Sequence, residues 1–177
     1  MAEIEYHIKT CGEAQLPEML EMFNEAIVNT TSVYDYQLRT MDFMTEWYQA
    51  KIKGKYPLIG LFNNQDELLG FGTYGPFRSR PAYKYSVEHS IYVRHDMRGK
   101  GYGKILLNEI IQRATQDDYH VLVGGIDSAN EISIRFHEKM GFFHAGTIKH
   151  AGYKFGKWLD LSFYQLILKT PIHPTED

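Results

Sequence analysis

A single cysteine, Cys11, stands in a chain of 177 residues, so no intrachain disulfide can form and a cysteine-based zinc cluster is excluded. No segment approaches about 18 consecutive apolar residues, which leaves no candidate for a membrane-spanning helix. The opening residues MAEIEYHIK carry charges where a secretory leader needs an apolar run. Basic charge is not in excess either: 19 Lys and Arg against 22 Asp and Glu leave a formal charge of −3. No global field therefore draws the chain to nucleic acid or an anionic membrane. Internal repeats and low-complexity segments are also missing. These lacks lead us to expect a cytoplasmic protein with no nucleic-acid or membrane partner, in which any anion site is local.

What is present suits a globular fold. With 44% hydrophobic residues the chain can bury one substantial core, and residues 1–169 are expected to form one domain followed by a tail over 170–177. Ile4 to Lys9 reads as a strand, and Leu16, Leu20, Phe23 and Ile27 mark a helix within Gly12 to Val28. Phe43, Trp47 and Ala50 suggest a second helix within Asp42 to Lys53, stopped by Gly54. YPLIGLF and ELLGFGTYG flank the turn-forming NNQD as a hairpin, and the loop PFRSRPAYK leads to the strand YSVEHSIYV. Ile105, Leu106, Ile110, Ile111 and Ala114 then mark a helix, followed by the strand HVLVGGI, so strand, helix and strand form a crossover with parallel pairing. Ser128 and Glu131 read as a capping box for a helix starting near Ala129, with Ile132, Phe136 and Met140 as its apolar stripe and Gly141 as its stop. Strands around Phe143 to Lys149 and Trp158 to Leu168 complete an α/β domain with a mixed sheet.

Arg98-Gly99-Lys100-Gly101-Tyr102-Gly103-Lys104 joins a strand to a helix and must hold something or merely turn. A P-loop ending at Gly103-Lys104 needs glycine at 98 and Ser or Thr at 105, where the chain has Arg98 and Ile105. A dinucleotide fingerprint needs glycine at 104 or 106, which are Lys104 and Leu106. What remains is a turn whose backbone N–H groups can approach a phosphate at the positive end of a helix, with Arg98, Lys100 and Lys104 adding charge. The plain alternative is a tight turn with solvated cations.

Arg98-x-x-Gly101-x-Gly103 after a strand ending in Val93 resembles the pyrophosphate loop of the GNAT acetyltransferase superfamily. Asn130-x-x-Ser133-x-x-x-His137-x-x-x-Gly141-Phe142 resembles its downstream helix motif. YGPFRSRPAYKYSVEHSIYV, GIDSANEISIRFHEKMGF and AGYKFGKWLDL together resemble the phosphinothricin and methionine sulfoximine acetyltransferase branch, and the likeness runs from Ile4 to Leu168. The resemblance implies the GNAT fold, a mostly antiparallel mixed sheet of about seven strands with about four helices. It also implies acetyl-CoA as donor, the α-amine of a small amino acid or analogue as acceptor, and a homodimer.

An ammonium has no lone pair to attack a thioester, so a proton acceptor is required. Glu88, mid-strand between Val87 and Ile91, is the candidate, because partial burial raises a carboxyl pKa and the family's catalytic glutamate matches this position. The resemblance puts an oxyanion-stabilising N–H at a strand bulge matching Val93. It has Ile91 and Val93, with Tyr92 between them, pairing with the pantetheine arm, and Arg98 to Lys104 holding the pyrophosphate. Asn130, Ser133 and His137 share one helix face, expected to look into the cofactor cleft and to lie apart from the apolar stripe. Many superfamily members have tyrosine at the His137 position as the acid for the thiolate; histidine here leaves acid and packing roles both open. Arg78 and Arg80 suit a substrate carboxylate, and Tyr34 and Phe77 are candidate pocket walls.

No metal is expected, since His137-Glu138 is followed by Gly141 where a zincin helix needs histidine. Three other readings stay open: acetylation of another small amine such as a polyamine or peptide N-terminus, a non-catalytic acyl-CoA-binding module, and an oligonucleotide-binding module using Arg94, Arg98, Lys100 and Lys104.

Overall fold

The segments YPLIGLF and ELLGFGTYG are near-continuous apolar runs, which a strand shows only where both of its faces are covered. They form β2 (Leu58–Asn63) and β3 (Leu68–Pro76), antiparallel neighbours in the interior of a seven-stranded sheet. The computed structural model describes residues 5–176. Its remaining strands are β1 (Tyr6–Thr10), β4 (Ser86–Val93), β5 (Val121–Asp127), β6 (Phe143–Lys154) and β7 (Lys157–Ile167). The order across the sheet is β1-β2-β3-β4-β5-β7-β6. Only β4 and β5 pair in parallel, across the helical crossover. Ile4, expected to open the first strand, lies outside the described residues.

Four helices complete the fold: α1 (Leu16–Asn29), α2 (Met41–Lys53), α3 (Tyr102–Gln116) and α4 (Glu131–Lys139). A short 3-10 turn, Glu13–Gln15, precedes α1, so the α-helix starts at Leu16 with Pro17 in its first turn, where a missing N–H costs nothing. One core forms where α3 lays Leu106, Leu107, Ile110 and Ala114 against Ile59, Leu61, Val87 and Leu122 of the sheet. A second forms on the other face, where Met19, Met22 and Phe23 of α1 and Met44 of α2 meet Leu58, Phe62 and Phe71. Both faces of β2 and β3 are thereby covered. None of the helices among the described residues is long and apolar enough to cross a membrane.

The start of α4 differs from the expected capping box. Its N-cap is Asn130, whose side chain accepts from the Ser133 N–H at 3.0 Å. Ser128 cannot serve because its hydroxyl is engaged across the sheet, donating to the Asp160 carbonyl and pairing with the Ser162 hydroxyl at 2.7 Å. The helix therefore begins at Glu131 rather than near Ala129. Its expected stripe also fails at Ile132, which is 79% exposed, while His137 is the buried residue of the helix. The stop is as expected: Gly141 takes a left-handed φ of 90° just past the helix, the conformation that favours glycine. The final hairpin is longer than anticipated, because β6 continues to Lys154 with register shifts at His144/Gly146 and at Ile148/Gly152.

Candidate active site

The site originates in a defect of the sheet. β4 and β5 are in register only at Ser86/Val121, Val87/Leu122 and Glu88/Val123. Beyond that point β4 stays paired with β3 as far as Val93, while β5 stays paired with β7 as far as Asp127. The two strands diverge, and a cleft of about 350 Å³ opens between His89 to Val93 on one side and Gly124 to Ile126 on the other. Their facing backbone N–H and C=O groups lack a strand partner, so an extended ligand arm can add there as a strand does.

Ile91, Tyr92 and Val93 form one wall of this cleft, Asn130, Ser133 and His137 form another, and Arg98 and Gly103 stand at its mouth. Ile132 and Phe136 line it as well, so two residues of the expected apolar stripe share the cleft with the polar face of α4, while the third, Met140, packs against the core. The Tyr92 ring packs against Phe23 and stacks on Phe71, so this residue can offer the cleft its backbone. The strand bulge implied at Val93 is absent: β3 and β4 keep one register from Val87 to Val93. Divergence from β5 frees the backbone instead.

At the mouth, Gly99 and Gly101 take φ of 78° and 88°, left-handed values costly for other residues. A Cβ at either position would meet nothing within 4 Å, so these glycines serve backbone conformation and leave the concave side open. Gly101 is the N-cap of the 15-residue α3 and provides no side-chain cap. The first N–H groups of the helix remain available to an anion. Arg98 pairs with Glu25 and donates Nε to the Val93 carbonyl at 3.2 Å, which ties the loop to β4. The Lys100 ammonium reaches the Met97 sulfur, and Lys104 is exposed. The Tyr102 side chain is buried in the core, leaving its backbone as the group at the turn.

Glu88 occupies the apex of the divergence. Burial raises its carboxyl pKa, while the charge of Arg78 pulls the other way. The carboxylate has room because Gly125 faces it: a Cβ there would lie 2.9 Å from Oε1 of Glu88. Gly124 does the same on the other face, where a Cβ would lie 3.0 Å from Nε2 of His89 and 3.4 Å from Nε2 of His137. The two imidazoles stack with centroids 5.2 Å apart. Burial pushes the His89 pKa down to about 3 and lowers that of His137. Nδ1 of His137 lies 2.7 Å from the Ser133 carbonyl and must donate to it, which leaves a lone pair on Nε2. In this state His137 can accept a proton or hydrogen bond at Nε2 and has no proton to give there.

Not every expected residue lines the cleft. Phe77 belongs to a neighbouring groove of about 300 Å³ and makes edge contacts with Tyr83 and Phe163. Arg78 lies 5.0 Å from the centre of the Phe77 ring, and Arg80 is exposed in the loop between β3 and β4. Tyr34 packs close to Gly152 of β6; its hydroxyl is buried without a partner among the described residues. His89, Gly124 and Gly125 were not anticipated. Strand alternation, which sends His89 to the face opposite Glu88, and a glycine pair inside a strand were the available signals. Among the described residues no group of three His, Cys, Asp or Glu is placed to hold a metal.

The model of the Acetyltransferase (GNAT) family matches residues 17–142. The chain belongs to this family. It is 39% identical over 161 residues to an L-methionine sulfoximine/L-methionine sulfone acetyltransferase of Pseudomonas paraeruginosa, covering 91% of this chain and 94% of the relative. An N-acetyltransferase structure from Staphylococcus aureus superposes with a TM-score of 0.90 at 44% identity, covering 92% of this chain and 98% of the other. A GNAT phosphinothricin acetyltransferase from Sinorhizobium meliloti, solved in complex with acetyl-CoA, gives a TM-score of 0.91 at 29% identity, covering 96% and 92%. In this GNAT chain the diverging strands and the left-handed glycine turn fit the two ends of such a cofactor: open strand edges for a peptide-like arm, and helix N–H groups for a pyrophosphate.

Proposed function

We propose that the protein acetylates the α-amine of a small amino acid or analogue, of the methionine sulfoximine, methionine sulfone or phosphinothricin type, with acetyl-CoA as donor. The observation that carries this reading is Glu88, a half-buried carboxylate with a raised pKa at the apex of the cleft, beside the charge of Arg78. Acetyl-CoA, when bound, supplies an activated thioester carbonyl. Glu88 takes the proton from the substrate ammonium, which gives the nitrogen the lone pair it needs; as the C–N bond forms the C–S bond would break, its electron pair leaving with the CoA sulfur, which takes a proton from solvent while the nitrogen gives up its second one. The backbone N–H of Val93, in the lining of the cleft, would offer a hydrogen bond to the carbonyl oxygen as charge develops on it. Ile91 and Val93 hold the arm, Asn130 and Ser133 border it, and the turn from Gly99 to Lys104 binds the pyrophosphate. Arg78 and Arg80 neutralise and orient the substrate carboxylate.

The arginines argue against a polyamine, which would be repelled there, and Glu88 argues against a binder without catalysis. The test is a panel of amines assayed for thiol release from acetyl-CoA. Arg78→Ala should raise the apparent KM for amino acids by roughly 10- to 100-fold, the equivalent of one charge-assisted bond. Equal turnover of an amino acid and its decarboxylated amine by the unaltered protein would reject the reading.

We read residues 1–169 as one acetyltransferase domain working in the cytoplasm as a homodimer. The support for a dimer is the exposed aromatic surface of the β6–β7 hairpin, with Tyr153, Phe155 and Trp158, the last 60% exposed. Light scattering should give twice the chain mass; a monomer at micromolar concentration would remove this part of the proposal.

A further inference from the structure

A second groove lies beside Glu88. Glu88, Val123 and Gln165 stand in register on β4, β5 and β7, so their side chains emerge on one face of the sheet. Neighbouring strands lie about 4.8 Å apart, which puts Gln165 roughly 10 Å across the sheet from Glu88. Next to Glu88, across its strand neighbour Val123, lies the groove of about 300 Å³, walled by Phe77, Tyr83, Val123 and Phe163, with Ser86 and Gln165 in its lining. Ser86 and Gln165 are its polar side chains apart from the Tyr83 hydroxyl, and among the described residues neither has a side-chain hydrogen bond. The opposite strand makes room: β6 breaks register between His144 and Gly146, where Ala145 and Gly146 line the groove. Bulges of this kind cluster beside active sites.

The pieces have the order of an amino acid. The Glu88 carboxylate, felt by the charge of Arg78, lies at one end with Ser86 two residues along the same strand face, and an apolar trough over Val123 leads across the sheet to Gln165. We infer that this groove reads the substrate side chain, and that Gln165 and Ser86 select a chain of four or five atoms whose end carries a hydrogen-bond acceptor. The inference rests on the amino-acid reading above. The aromatic and aliphatic walls take the methylene stem, and the Gln165 amide N–H and Ser86 O–H donate to the acceptor. An amino acid of equal shape without the acceptor leaves both donors unpaired and is disfavoured for that reason.

The experiment compares methionine sulfone, norleucine and alanine as substrates. The first two match in length and differ in the sulfone oxygens. With the full chain and saturating acetyl-CoA, kcat/KM for methionine sulfone should exceed that for norleucine. Gln165→Leu should lower that ratio about tenfold, the value of one hydrogen bond at the upper end of the neutral range, with acetyl-CoA affinity unchanged. Ser86→Ala, a small truncation, should lower it in the same sense and carries the test if Gln165→Leu loses cofactor binding. Val123→Phe should abolish turnover of both long substrates and spare alanine. A ratio unchanged in Gln165→Leu and Ser86→Ala, or long-chain turnover intact in Val123→Phe, overturns the groove assignment while leaving the amino-acid reading in place. Absence of thiol release with every amino acid overturns both.

Discussion

Replacing Glu88 with glutamine separates an acetyltransferase from a protein that only binds the donor. The substitution keeps shape and hydrogen-bonding capacity and removes the basic oxygen. The surroundings determine how large the loss should be. The other titratable imidazoles of the cleft, His89 and His137, lie on the opposite face, neutral and made weak bases by burial, His89 with a pKa of about 3. Neither can take over efficiently, so kcat/KM should fall by the full contribution of a positioned base, on the order of 10²–10⁴-fold. Raising the pH should recover part of the loss, because solvent then supplies free amine. Stability should move the other way. Burial raises the Glu88 pKa above its unfolded value, so the ionised carboxylate costs the folded state, and stability is lost as pH rises through the folded pKa. Glu88→Gln should therefore melt higher than the unaltered protein at neutral pH, and this advantage should vanish below the ordinary carboxylate range. Thiol release from about pH 6 to 9, which brackets the amine, acetyl-CoA calorimetry, and melting curves from about pH 3 to 9 read all three effects. Near-normal kcat/KM at neutral pH would refute the base assignment. Collapse of cofactor binding together with a lower melting temperature would make Glu88 a structural residue.

Gly101→Val should weaken acetyl-CoA binding while the protein stays folded: the left-handed φ of 88° is strained for valine by about 1–2 kcal/mol, yet a Cβ meets nothing within 4 Å. Calorimetry reads the affinity, and an unchanged value would remove the turn from the cofactor site. Asn130→Ala should destabilise the protein by about 1 kcal/mol through loss of the α4 cap, and Asn130→Asp should restore most of it. A larger loss of helix from Ser128→Ala than from Asn130→Ala, measured by hydrogen exchange at the start of α4, would put the cap back at Ser128.

Much of the fold was legible because it follows from local periodicity. The apolar spacing of α1 and α3, the hairpin around NNQD and the buried runs of β2 and β3 each record which faces are covered. Glycine at 101 and 141 carried conformational information that the observed φ values of 88° and 90° bear out. The cap of α4 was misread because a side chain's local option and its tertiary option compete. Ser128 has the right spacing from Glu131 but bonds Asp160 and Ser162, residues of β7 more than thirty positions away. Ile132 was misread for a related reason: an apolar residue facing a ligand cleft looks, in sequence, like one facing a core.

The sequence by itself determined the order of elements, the glycine turn ahead of α3 and the presence of Glu88 on a strand. These depend on residues close along the chain, where backbone sterics and side-chain period act directly. Tertiary structure alone decided that β4 and β5 pair for only three residues and then diverge. That event depends on β3 and β7 each holding one of the strands beyond Glu88 and Val123, competing pairings set by distant segments. The same divergence turns Gly125 toward Glu88 and Gly124 toward the His89–His137 stack. Strand alternation sends successive side chains to opposite faces, but which face meets a carboxylate and which an imidazole pair is set by what the rest of the chain packs there.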